Sequence, residues 1–152
     1  MQTRRQTLKH SAVVAGLLAG TGLFPRYALA FNQGAFDAKS IADAVKALGA
    51  AGAPAQSSAV TLTAPDIAEN GAVVPLALAS TLPNVKQLLL LVEKNPNVLV
   101  SVFNVNESVE PSFATRTKMG QSSDVYAVAI TADGKAHYAK KEVKVTLGGC
   151  GG

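Results

Sequence analysis

One cysteine, two histidines and no tryptophan among 152 residues leave little from which to build a reactive site. His10 falls within an N-terminal segment that reads as a leader, so the remaining chain has one histidine, His137, and one cysteine, Cys150. That pair cannot supply the ligands of a usual zinc site or iron–sulfur cluster. No glycine-rich loop follows a strand and opens a helix, which excludes a phosphate cradle. The carboxylates are scattered, and no two are placed as acid and base. With aromatics at 5% and none of them Trp, platforms for stacked bases are poorly supplied.

Charge is equally uninformative once it is located. The formal +4 comes from Arg4, Arg5, Lys9 and Arg26, and the other ten basic and ten acidic side chains cancel. The basic balance therefore belongs to the leader, and nothing supports a nucleic-acid surface.

The leader itself reads clearly. Thr3-Arg4-Arg5-Gln6-Thr7-Leu8-Lys9 is similar to the twin-arginine export signal, with Thr7 where that signal usually carries Phe. A moderately apolar stretch over residues 11–23 follows, too short to anchor in a bilayer. Ala28-Leu29-Ala30 then gives the small-x-small pattern of a signal-peptidase site. Cleavage after Ala30 would leave a periplasmic chain of 31–152 with no membrane attachment. A chain on this route folds early, carries a cofactor, or leaves bound to a partner.

Residues 36–48 read as one helix. Ile41, Ala44, Val45 and Leu48 fall on one face, and Gly49 is placed to end it. Residues 49–58 are small and read as a flexible linker, so that helix and linker together occupy 31–58. From 59 to 147 the pattern becomes short strands separated by turn residues. Asn70-Gly71 and Asp133-Gly134 mark turns, 94–97 is a hairpin loop, and Pro75 predicts a strand edge or a bulge. About seven strands at this spacing predict a mainly β fold, an immunoglobulin-like antiparallel β-sandwich with a short N-terminal helix and a flexible C-terminal tail. One stretch, 85–92, is apolar on both faces. It is either a strand covered on both sides within the domain or a surface for a partner chain. His137 reads as a structural or surface histidine on the last strand.

The tail, 148–152, is Gly148-Gly149-Cys150-Gly151-Gly152. Flanking glycines remove Cβ restrictions, so the segment has no means of holding a fixed shape unaided. Leu147 is expected to close the last strand, which lets Cys150 reach roughly 10 Å beyond it. No basic residue lies nearer in sequence than Lys144, so the thiol is expected to keep a pKa near the free value of about 8.5. A self-sufficient catalytic thiol needs more help, and nothing in the tail would lock it against a base. A carried thiol does not, because the enzymes it visits supply the activation. An exported thiol-dependent sulfurtransferase and a binding module dimerised through a disulfide are the competing readings.

An exported chain ending in this motif resembles the SoxY family of sulfur carriers from the bacterial Sox thiosulfate-oxidation system. The segment Ile67-Ala68-Glu69-Asn70-Gly71-Ala72-Val73-Val74-Pro75 is also similar to that family. The resemblance implies that Cys150 is the site of covalent sulfur attachment and that Gly148, Gly149, Gly151 and Gly152 form a swinging arm. It implies no cofactor beyond the bound sulfur species and no catalysis by the carrier. It also implies a heterodimer with a SoxZ-type β-sandwich subunit, which would account for the apolar 85–92 stretch. A thiosulfate-attaching haem cytochrome, a metal-dependent sulfate-releasing hydrolase and a sulfane dehydrogenase would be the enzymes visited.

Overall fold

A computed structural model describes residues 32–146, which form nine strands and two short helices. The helices are α1 (Gln33–Phe36) and α2 (Ile41–Ala47). The strands are β1 (Ala55–Gln56), β2 (Val60–Thr63), β3 (Ile67–Ala68), β4 (Val74–Ser80), β5 (Val85–Val92), β6 (Leu99–Asn104), β7 (Ser112–Thr117), β8 (Ser123–Thr131) and β9 (Ala136–Val145). The fold is mainly β, as expected, in two sheets. The larger runs β1-β9-β8-β5-β6, with β3 also on β9, and the smaller runs β2-β4-β7.

The single expected helix is two. Ser40 adopts an extended conformation, and its hydroxyl accepts the Asp43 amide at 3.1 Å while donating to the Asp43 carboxylate. This reciprocal cap starts a new helix at Ile41 and forces a break after α1. Gly49 ends α2 at φ 95°, a conformation that glycine takes cheaply.

The 49–58 segment is tied down rather than free. The Ala51 amide donates to the Gly134 carbonyl at 2.8 Å, and Ala55–Gln56 pairs in parallel with His137 and Tyr138. A second parallel bridge joins Ile67–Ala68 to Lys144 and Val145. The seven long strands pair antiparallel as expected, and both short additions lie along the outer edge of β9.

β5 resolves the apolar 85–92 stretch. Leu88, Leu89, Leu90, Leu91 and Val92 are all fully buried. Leu88, Leu90 and Val92 face the smaller sheet and pack with Val74, Leu76 and Leu78. Leu89 and Leu91 face the other way, onto Ala44 and Val45 of α2 and Ala35 of α1. The strand is also interior to its sheet, hydrogen-bonded to β6 on one side and β8 on the other. Helices on one face and a sheet on the other use up both sets of leucines. A partner chain is not needed to explain them: of the two readings, the strand covered on both sides within the domain is the one found.

Pro75 sits where its missing N–H costs nothing. β4 is central, but its pairing with β2 stops at Thr63↔Ala77, so at Pro75 only β7 is a neighbour. The edges of the two sheets are bridged by Phe103 of β6 and Phe113 of β7, stacked with centroids 4.4 Å apart.

Candidate functional site

Cys150, its four glycines, Arg4 and Arg5 lie outside the described residues, as does Leu147. What the structure places is the end of β9, the last described element before them. The β8–β9 ladder runs from Ile130↔Ala136 to Ser123↔Val143 and goes no further. Beyond Val143, three residues are held by the β3 segment on one side and by Ser122 on the other.

Their backbone donors point alternately to two sides, as strand geometry requires. Lys144 N–H donates to the Asp66 carbonyl at 3.0 Å and Thr146 N–H to the Ala68 carbonyl at 3.1 Å. Between them, Val145 N–H points the opposite way and donates to Ser122 Oγ at 2.9 Å. The 66–71 loop on one side is fastened in turn. Lys141 Nζ pairs with the Asp66 carboxylate at 2.9 Å and donates to the Ala64 carbonyl at 2.6 Å. Asn70 Oδ1 accepts the Ala72 amide, and Met119 N–H donates to the Gly71 carbonyl at 2.7 Å. Gly71 has no room for a side chain. A Cβ there would lie 2.5 Å from the Met119 carbonyl oxygen and 2.7 Å from Val145 Cγ1. The Asn70-Gly71 turn was legible in the sequence. Its close fit against the last strand was not, because nothing local ties it to Met119 or Val145.

His137 is at the other end of β9, opposite Ala55 and Ala129. A strand rise of about 3.3 Å per residue puts it roughly 30 Å from Thr146. Cys150 is four residues past Thr146, and four extended residues span roughly 14 Å at most. A Cys–His pair within one folded chain is therefore out of reach. Half-buried His137 lines a cavity of about 580 Å³ with Asn84, Asp133 and Lys135. There the Asp133 carboxyl is held below the usual range, chiefly by its hydrogen bond from Lys135 and then by that from Thr131. Among the described residues no three His, Cys, Asp or Glu side chains form a metal-holding group. None of the described helices is long and apolar enough to cross a membrane.

A family model described as sulfur oxidation protein SoxY matches residues 45–150, more than half of the chain. The chain belongs to the SoxY family. Among solved structures it is similar to the sulfur carrier protein SoxY from Chlorobium limicola f thiosulfatophilum. The identity is 32% and the TM-score 0.61, covering 69% of this chain and 94% of that one. A superoxide reductase (neelaredoxin) from Ignicoccus hospitalis matches at 19% identity and TM-score 0.51, over 57% of this chain and 79% of its own. That likeness concerns the fold alone. No curated protein matches by sequence. The SoxY match spans all nine described strands and runs through position 150, so the β domain and the tail cysteine fall within one family span.

Proposed function

We propose that this SoxY-family chain is a sulfur carrier of a Sox thiosulfate-oxidation system, exported to the periplasm by the twin-arginine route, with Cys150 as the attachment point. The observation that carries the reading is a lone thiol in a glycine tail on a chain of this family. In the loading step the Cys150 thiol loses its proton and forms a disulfide bond to the outer sulfur of thiosulfate. The electron pair released passes to the haem cytochrome that performs the step. Hydrolysis at the terminal sulfonate sulfur then releases sulfate and leaves a persulfide on Cys150, with water supplying the fourth sulfate oxygen. The sulfane dehydrogenase, where it acts, oxidises that remaining sulfur.

The domain supplies none of this chemistry. Its single histidine lies beyond the arm's reach, which weighs against a self-sufficient sulfurtransferase. A SoxZ-type β-sandwich subunit is the proposed permanent partner. The edge of β6 suits it, because residues 99–104 (Leu-Val-Ser-Val-Phe-Asn) carry no charge and no proline to block pairing with an added strand.

Intact-mass analysis of the carrier taken from cells oxidising thiosulfate tests the central claim. Sulfur adducts are expected on the wild type and absent from Cys150→Ser. Unmodified wild-type carrier during active turnover would sink it.

A further inference from the structure

We propose that the notch between β2, β4 and β7 docks an enzyme that acts on the carried sulfur. An apolar side chain of that enzyme enters the notch, and a carboxylate beside it settles on Arg116. This rests on the carrier reading of the chain.

The smaller sheet turns Val74, Leu76 and Leu78 to the core, so the alternate residues of β4 face outward. An outward face of an antiparallel sheet normally carries polar and charged side chains. Here register sets Thr63, Ala77 and Ala114 abreast across the three strands, and Pro75 beside Arg116. β2 stops pairing with β4 at Thr63, and the space it vacates is a groove of about 470 Å³ with Pro65 and Pro75 among its lining residues. Two of the three exposed large hydrophobic side chains among the described residues flank it. Ile67, 57% exposed, is two residues beyond Pro65, and Val73, 50% exposed, is two before Pro75. Neither proline has an N–H to offer an added strand, so the groove suits side chains and not strand pairing.

Arg116 gives the surface its sign. It is the only arginine beyond the leader, it is exposed, and its guanidinium has no hydrogen-bond or ion-pair partner among the described residues. Lys118, also exposed, follows two residues later on β7's outward side, whereas the nearby Asp66 carboxylate is already paired with Lys141. An uncommitted guanidinium at the rim of an apolar groove is matched by a carboxylate next to an apolar knob.

The position and the size of the groove both favour an enzyme over the permanent partner. Pro65 runs directly into Asp66 and Ala68, whose carbonyls accept the Lys144 and Thr146 amides, so the groove lies at the end of the sandwich where β9 finishes. That is the end from which the sequence continues to Cys150. A permanent interface of standard size buries about 1,600 Å² in all, far more than one notch provides, whereas contacts that form and break in each cycle are smaller.

The test uses the mature carrier as purified from its own cells, with the thiosulfate-attaching cytochrome of the same cells as the probe. The initial rate of adduct formation, read by intact mass, is measured against carrier concentration. Arg116→Glu reverses the rim charge, and Ala114→Arg fills the groove while adding positive charge. Each is expected to raise KM for the carrier about tenfold while kcat stays within about twofold, the pattern of binding lost equally from ground and transition states. Added salt should raise the wild-type KM and affect Arg116→Glu much less. Lys86→Glu makes the same charge change at an exposed position near the other end of the sandwich, where Val85 pairs with Thr131, and should leave KM within about twofold.

Unchanged KM in Arg116→Glu, or an equal rise in Lys86→Glu, overturns the proposal. So does loss of an accompanying subunit from the groove variants, which would assign the groove to the permanent partner. If Ala114→Arg folds poorly, Arg116→Glu decides alone. Absence of any adduct on the wild type rejects the carrier reading, whereas normal adduct formation with unchanged KM in the groove variants rejects only the docking groove.

Discussion

If β5 is covered on both faces by its own chain, truncation on either face must destabilise the isolated subunit. Leu90 faces the smaller sheet and Leu89 faces the helices, and both have zero exposure. Leu→Ala at such positions costs about 2–5 kcal/mol, the spread reflecting how far the site can collapse. Leu90 sits opposite Ala127 in the ladder, a small neighbour with little to move into the gap, so a cost of about 3 kcal/mol or more is expected. For a domain of this size that corresponds to a melting point lowered by roughly 10–15 °C. Leu89 lies under the helix layer, and α2 is only seven residues long and can settle inward, so about 2–3 kcal/mol is expected. Urea unfolding of the lone subunit reads both, with Val73→Ala as the control because Val73 is half exposed. A partner-surface reading makes the opposite prediction, in which one face is nearly silent without the partner. Either variant lying within about 0.5 kcal/mol of wild type would refute double coverage.

Two further outcomes follow from named residues. Asp133 is hydrogen-bonded by Lys135 and Thr131 in the turn, so its folded-state pKa lies below the unfolded one and its contribution is present at neutral pH. That contribution fades only as pH falls below about 4, the ordinary aspartate range. Carboxyl-carbon NMR should find Asp133 still ionised at about pH 3, and a midpoint near 4 would contradict the geometry. The proposed SoxZ-type partner is expected to slow amide exchange across Leu99–Asn104 by about tenfold or more, since an added strand gives the outward amides acceptors. Protection confined to β2 or β7, with β6 unchanged, would place the interface elsewhere.

Much of this architecture is legible in the sequence, and the failures share a cause. The seven long strands announce themselves by alternation and by turn residues such as Asp133-Gly134. Pro75 correctly signals a local edge. The parallel bridges at Ala55–Gln56 and Ile67–Ala68 are two residues long, too short for any period to register. Ala55 in particular sits in a run that reads as linker, and only its docking on His137 and Tyr138 makes it a strand. The helix break did have a local signal, Ser40 followed three residues later by Asp43, but the longer apolar period through Ile41, Ala44 and Val45 obscured it. The two-faced β5 could not be decided locally at all. Its leucines look the same whether helices or another chain cover them. For the site, the thiol and its glycines stand in plain view in the sequence, whereas the fastening of 144–146 depends on residues more than twenty positions away.

That division has a physical reason that bears on how such a carrier works. β9 is not a self-sufficient strand. Among its ten residues only Ala136 and Val143 are buried, and Lys140, Glu142 and Lys144 face solvent. Its order is lent by β8, whose own inner residues are locked against β5, the most buried strand in the molecule. Support therefore passes outward from β5 to β8 to β9, and beyond Val143, where the β8 partners end, the short β3 takes over. Past Val143 the chain is held by the β3 bridge, by Val145 N–H on Ser122 Oγ, by the Thr146 hydroxyl on the Ala68 and Glu69 carbonyls, and by Val145 packing on the core. The same fold then keeps its most buried layer at β5, while the last residues of β9 depend on the 66–71 loop and Ser122.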